Sequence, residues 1–372
     1  VLTPLDDTPW HQLPTTFDHV GTSDVRFFDR LWFAASDRHG GGALQFTMGV
    51  YQNMNVVDGG FVVIDHGRQH NLRVSRQLRP TYDTVCGPLR IEVLEPLQHI
   101  HLTVDPNASE VHGELDWTAT FSAQEERRHF DRSWGRVLEN YSRYDQIGAL
   151  SGWVDIAGTR LELDSWWACR DHSWGVRERV GVPEPFTGET PARTGSLFAF
   201  LFYSTDTHGG HVQVTGNEDA THLTAEIVDR ATGDSVIGER VTVDATFVDE
   251  RRPRRFDQVT LEVIDTSGAV VRFEVEADGP AVAMQGLGYG GYDDGLGLGV
   301  HRGIEHLESE IWDVSQPADV RYPDHTTGRP VHRIQPVTVR QHGPDRVSHG
   351  TGSLTFIGEV ELDPDGHLRY GR

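Results

Sequence analysis

Apolar and polar residues alternate with a period of two along most of this chain. In Gln258 to Asp265 (QVTLEVID), Val259, Leu261 and Val263 fall on one face. After the turn Thr266-Ser267-Gly268, the segment AVVRFEVEA groups Val271, Phe273 and Val275, so the two runs predict a β-hairpin. The same signature recurs in LRIEVLE, HIHLTVD, ELDWTATFS, SLFAFLFYS, HVQVTG, RVTVDATFV, HRIQPVTVRQ and SLTFIGEVELD. The 40 glycines and 18 prolines supply the intervening turns. A short helix is expected only at Ser133 to Asp145, and no βαβ alternation is present. The pattern predicts an all-β protein of the sandwich or barrel type. A Pro-, Gly- and Thr-rich stretch, GVPEPFTGETPART (181–194), predicts a boundary between two β-rich domains, 1–185 and 186–372.

Composition narrows the function. The 372 residues suffice for sizeable cores. The net charge of −23 argues against a nucleic-acid partner, which would require clustered Lys and Arg. The basic run Arg251, Arg252, Arg254 and Arg255 is bracketed by Asp249, Glu250 and Asp257 and reads as a solvated loop. Cys86 and Cys169 are too few for a disulfide framework or a four-cysteine zinc site, which fits a reducing, cytoplasmic setting. The opening VLTPLDDTPW does not read as a signal peptide, and no apolar window is long enough for a membrane helix. The oligomeric state stays open, a homodimer included.

Several motifs fail on context. Gly286-Leu287-Gly288-Tyr289-Gly290-Gly291 fits G-x-G-x-x-G, but no helix can follow it, so it reads as a glycine-rich β segment or loop. Asp171-His172-Ser173-Trp174-Gly175 approaches G-x-S-x-G without the strand–turn–helix that a nucleophile elbow requires. His99 and His101 share a strand face, and His112 could join them across a hairpin. Solvated histidines are the favoured reading there, as for His66/His70 and His208/His211, and no metal is expected.

The stretch Trp166 to Gly175 (WWACRDHSWG) is the richest in chemistry. Ser151 to Ile156 and Arg160 to Ala168, joined at Ala157-Gly158-Thr159, predict a hairpin. Extending the return strand at period two puts Trp167, Cys169 and Asp171 on the side of Leu161 and Leu163, facing the core. An aspartate there would tend to keep its proton, as a general acid must. Arg170 and His172 then face the other way, unless a bulge re-aims them. A structural salt bridge from Asp171 to Arg170, Arg177 or Arg179 is an equally good reading of the spacing. The similar DRSWG (131–135) has unrelated flanks and is not read as a repeat.

The segment from Tyr144 to Arg177, YDQIGALSGWVDIAGTRLELDSWWACRDHSWGVR, resembles the signature of the lipocalin-like carotenoid 1,2-hydratase (hydroxyneurosporene synthase), AttH-type superfamily. There a YEQ-x-G…SG entry, a hairpin and a DHNWG turn follow in that order. FFDRLWFAASDRHGGGALQFTMGVYQN and ESEIWDVS are similar to uncharacterised bacterial members, and tocopherol cyclase and fungal decalin-forming Diels–Alderases look like further relatives. The resemblance implies two tandem lipocalin-like antiparallel β-barrel or sandwich domains, with a pocket at or between them. It implies chemistry without a cofactor on a hydrophobic terpenoid-, steroid- or polyketide-like molecule. It also implies Asp171 as proton donor, with His172 and Trp174 at matched positions; Ser173 replaces the family's asparagine. Trp167, Arg170, Tyr51, Asn53, Tyr292 and Glu305 are candidate substrate contacts. The expected activity is a hydratase or dehydratase, cyclase or isomerase. The competing reading is a non-catalytic lipocalin-like carrier of a lipid or terpenoid.

Overall fold

The computed structural model describes all residues except 8, 10, 40, 134, 182–196, 217–220, 248–254, 293, 317–318, 344–345, 359–364, 366 and 371–372. Apart from Gly181 and Arg255, the boundary segment 181–194 and the arginine run therefore lie outside the described residues. The strands of six or more residues are β1 (Phe27–Ser36), β2 (Gly42–Tyr51), β3 (Val56–Asp65), β4 (Arg68–Gln77), β5 (Leu89–Glu95), β6 (His99–Val104), β7 (Val111–Ala119), β8 (Arg136–Ile156) and β9 (Thr159–Val176). They continue with β10 (Leu197–Thr205), β11 (His208–Gly216), β12 (Thr221–Asp229), β13 (Ser235–Phe247), β14 (Phe256–Asp265), β15 (Val270–Ala277), β16 (Glu305–Asp313), β17 (Arg333–His342) and β18 (Val347–Gly358).

These strands form two antiparallel sheets. The second runs β12-β11-β10-β18-β17-β15-β14-β13 and closes, because Val236 of β13 pairs back with Ile227 of β12. Its interior is filled by the inward residues of the alternating runs, among them Val243, Leu261, Val263, Phe273 and Val339. The first runs β16-β4-β3-β2-β1-β9-β8-β7-β6-β5 and curls without closing its ladder. Side chains bridge the seam instead: Leu89 and Ile91 of β5 share one core cluster with Leu72 and Val74 of β4. The fold class is thus all-β, as the alternation implied, with antiparallel barrels in tandem, as the family resemblance implied. β16 lies beyond residue 186 yet pairs with β4 of the first sheet, from Glu305↔Arg76 to Asp313↔Arg68. This crossover ties the two halves together through backbone hydrogen bonds. No helix among the described residues is long and apolar enough to cross a membrane.

The helix expected at Ser133 to Asp145 does not form, which corrects the reading of that segment. A short strand, His129–Ser133, turns into β8, and the two pair from His129↔Tyr141 to Ser133↔Arg136. Val137, Tyr141 and Tyr144 are strand formers, and long-range pairing with β9 decides the matter where local propensity is weak. The two DxSWG copies also differ in place, one at this hairpin turn and the other inside β9.

A third apolar cluster joins the barrels. Trp32, Ile147, Trp167 and Cys169 on the outer face of the first sheet pack with Phe200, Phe202 and Ile334 of the second. At roughly 25 cal/mol per Å² of apolar surface, burying such aromatic groups favours a fixed barrel–barrel contact.

Candidate functional site between the barrels

β8 and β9 form the hairpin expected around Ala157-Gly158, whose φ values of 52° and 86° suit a two-residue turn with both residues left-handed. The phase of β9 then changes. Leu150 pairs with Trp166 and Gly152 with Leu163, so β9 spends one more residue than β8 over this interval. Ser165, at φ 50°, takes up the extra residue as a bulge. Leu163 therefore faces the first barrel's interior together with Trp166 and Ala168, not with Trp167. Trp167, Cys169 and Asp171 face outward, toward the second barrel, and only the sense of their alternation survives from the sequence reading. The expectation that Asp171 shares a face with Leu161 and Leu163 is corrected by this one residue.

On the outward face Asp171 stands in register between two strands. Trp32 of β1 is directly opposite on one side and Asp145 of β8 on the other. Directly opposed residues in adjacent strands have Cβ atoms about 5 Å apart, so the two carboxyl groups are neighbours. Asp171 is half-buried and makes no hydrogen bond or ion pair with another described residue. The alternative salt bridge to Arg170, Arg177 or Arg179 does not form. Arg170 bonds elsewhere, and Arg177 lies over the Phe28 ring at 4.5 Å. Burial raises the Asp171 pKa, opposed by Arg143 and reinforced by the negative Glu126.

Asp145 leads into a buried polar cluster spanning both barrels. It is 1% exposed, and neither carboxylate oxygen has a donor. Burial and the nearby Glu126 push its pKa well above the usual carboxylate range. Burial acts upward on Glu126 too, but Arg143 Nη2 at 2.7 Å and His129 Nε2 at 2.7 Å outweigh it and hold Glu126 well below its ordinary value. Arg143 Nη2 also donates to Gln213 Oε1 of β11. His211 of β11 places Nδ1 3.5 Å from Asp145 Oδ2 and 3.0 Å from Gln124 Oε1, with Nε2 3.1 Å from Thr224 Oγ1. Burial pulls the His211 pKa down to about 4, so its imidazole is neutral at pH 7.

Glu126, Asp145 and His211 offer ligand atoms within 4.8 Å of one another, which would suit a divalent cation. Arg143 already occupies one oxygen of Glu126 and lies 3.7 Å from Asp145. That fixed positive charge repels a metal ion, and a proton retained among the carboxyls relieves the same excess of negative charge. His99 and His101 instead share Asp116 Oδ1, at 2.8 and 3.1 Å. His112 packs edge-on against Trp153.

The other sequence candidates are dispersed. Arg170 points into the first barrel, 1% exposed, over Trp117, and donates to Gln146 Oε1 and Tyr144 Oη. His172 and Trp174 follow on that inner face near the barrel mouth, so a sheet separates them from Asp171. His172 bonds Asp29 Oδ1 at 2.7 Å and Tyr144 Oη at 3.3 Å, and Trp174 is exposed with its ring 5.3 Å away. Trp167 does share the face of Asp171, and its Nε1 donates to Ser204 Oγ of β10. Tyr51 belongs to a buried cluster with Arg30 and Asp58. Asn53 clamps the carbonyls of Thr22 and Asp24. Tyr292 donates to the Val74 carbonyl, and Glu305 is exposed at the start of β16.

Sequence reasoning missed Trp32, Asp145, Glu126, Arg143 and His211 as members of this site. Asp145 lay within the quoted YDQ motif, and that motif was the available signal. The others are brought in by pairing register and by barrel docking, which no local pattern encodes.

The chain belongs to DUF8625, a family of unknown function, whose model matches residues 2–358. No curated protein matches it. Among solved structures it is similar to kievitone hydratase from Nectria haematococca, at 10% identity over 89% of each chain and a TM-score of 0.49. It is also similar to CghA, solved with Sch210972, at 10% identity over 90% of this chain and 88% of that one, with a TM-score of 0.50. The second likeness shows a shared fold.

Proposed function

For this DUF8625 chain we propose an acid–base enzyme that works without a cofactor, a hydratase or dehydratase, cyclase or isomerase, acting on a bulky hydrophobic molecule between the barrels. Asp171 is its proton donor. The observation that carries this reading is the Asp171–Asp145 pair, opposed on adjacent strands, with no hydrogen-bond donor on either Asp145 oxygen. Two such carboxyls do not both ionise readily, so the pair retains a proton. Asp171 is the less buried of the two, so it is assigned the role of donor to the substrate.

In the forward step the Asp171 O–H bond breaks and a C–H bond forms as the substrate π bond takes the proton, leaving a carbocation. Trp32 lies beside the acid, and a desolvated cation over an indole face gains roughly 2 kcal/mol. Water or an internal nucleophile then adds, or a neighbouring C–H gives up its proton. The neutral His211 receives the released proton and passes it to the Asp145 carboxyl, which gives up its own proton to Asp171. Turnover therefore depends on protonated Asp171 and falls as pH rises through its raised pKa.

Asp171→Asn tests this. Purified protein is incubated in D2O with a panel of terpenoid and polyketide alkenes, and deuterium on product carbon is read by mass spectrometry. The variant should lose about 100-fold or more of the incorporation while still binding substrate. Unchanged incorporation in the variant refutes Asp171 as the acid. Binding with no turnover by either protein supports the carrier.

A further inference from the structure

A cleft of about 420 Å³ opens where β16 joins the edge of the first sheet, and nothing in the proposed chemistry uses it. Its walls come from Met284–Leu287, the glycine-rich loop after it, β16, and the short hairpin containing Tyr322 to Thr326. The volume is within the roughly 300–1,000 Å³ typical of small-molecule sites.

The lining has a definite chemistry. Tyr292, Trp312 and Tyr322 supply aromatic surface, and Trp312 and Tyr322 are locked edge to face at 5.2 Å. Trp312 is 4% exposed, and its indole N–H has no acceptor. Gln285 Oε1 is likewise buried without a donor. Both atoms lack a protein partner, so a ligand with a matching acceptor and donor gains by pairing with them. Glu310 and Asp324 add negative charge to the lining. Among the described lining residues the one cation is Arg73, already engaged by Glu308 at 2.6 Å and Glu310 at 2.7 Å, and Arg302 beyond the lining covers the Tyr292 ring at 3.7 Å and is held by Asp294. Two carboxylates thus hold the Arg73 guanidinium, while Asp324, whose Oδ1 accepts from Thr326, adds a further negative charge to the lining, so an anionic ligand is disfavoured.

We propose that this cleft binds a small organic cation, an amine on an aromatic body with a hydrogen-bond acceptor near the charged nitrogen. The ammonium meets Asp324 and Gln285 Oε1, the ring packs on Trp312 and Tyr322, and the acceptor takes the indole N–H. This site is separate from Asp171 and does not rest on the acid–base reading.

Calorimetry and tryptophan fluorescence on the full chain test it. The probe is 2-amino-1-phenylethanol, with mandelate as an anion of similar size and phenethylamine as an amine lacking the hydroxyl acceptor. Saturable binding of 2-amino-1-phenylethanol is expected, weaker binding of phenethylamine, and none of mandelate. Asp324→Asn and Gln285→Leu should each weaken the amine by about five-fold or more, as losing one polar contact does. Trp312→Phe, checked for native melting, should abolish the preference for the hydroxylated amine. Asp171→Asn should bind like the parent chain. No saturable binding of the amine, equal binding of mandelate, or unchanged affinity in both Asp324→Asn and Gln285→Leu overturns the proposal.

Discussion

The second barrel encloses Val, Leu and Phe, and none of its described Asp, Glu or Arg residues is fully buried. The sheet of the first barrel follows the same period-two pattern, yet buries Arg30, Asp58, Arg73, Glu126, Arg143, Asp145 and Arg170. The closed ladder with its aliphatic filling forms a wall against the first barrel. The first barrel is left open along one seam and carries buried charges, of which Arg143 and Asp145 meet residues of the second barrel. His211 and Gln213 of β11 reach across to Asp145 and Arg143, so the wall supplies neutral polar groups to a charged face. The first barrel contributes the buried carboxyls and Arg143, and the second covers them and adds the neutral His211 and Gln213.

Deleting Ser165 should have the largest effect. Without the bulge the whole of Trp166 to Val176 exchanges faces, driving Asp171 into the first core and Trp166 out of it. Loss of the folded protein in soluble expression is expected; a folded deletion variant would show that the bulge does not set the phase. Next is Arg143→Ala, which leaves buried Glu126 without its guanidinium and should cost roughly 3–5 kcal/mol in urea unfolding. An equal loss from an exposed arginine such as Arg272→Ala would remove the distinction between buried and surface charge.

Acid sensitivity sharpens the comparison further. His211 is held near pKa 4 when folded and rises to its ordinary value of 6.5 when unfolded. The unfolded chain therefore binds the extra proton first, and stability falls as pH drops from about 6.5 toward 4, by about 3 kcal/mol in all. His211→Gln should flatten that part of the stability–pH curve; an unchanged slope assigns it to other groups. The smallest effect is expected at Asp116, a half-exposed partner of His99 and His101. Asp116→Asn should change the melting free energy by about 1 kcal/mol or less.

How much of this was legible in the sequence varies by element. The hairpin of β14 and β15, the turn at Ala157-Gly158 and the long β10 follow from alternation and turn residues, because each is a local pattern on a half-buried sheet. Ser133 to Asp145 was misread because its period is ambiguous and its pairing partners are distant. Asp171 stood out by composition, but its inward face was assigned by carrying period two through a bulge that leaves no mark in the residue types. His172 and Trp174 were grouped with it because they are adjacent in the chain, whereas in a strand adjacency means opposite faces.

The sequence by itself determined an all-β chain of alternating strands with an acid and several indoles concentrated near residue 170, since these are matters of composition and local period. Tertiary structure alone decided that Asp171 meets Asp145 and Trp32, and that His211 arrives from the other barrel. The reason is physical: a pairing register and a docking face minimise the free energy of the whole chain at once, so they are written in no single stretch of it.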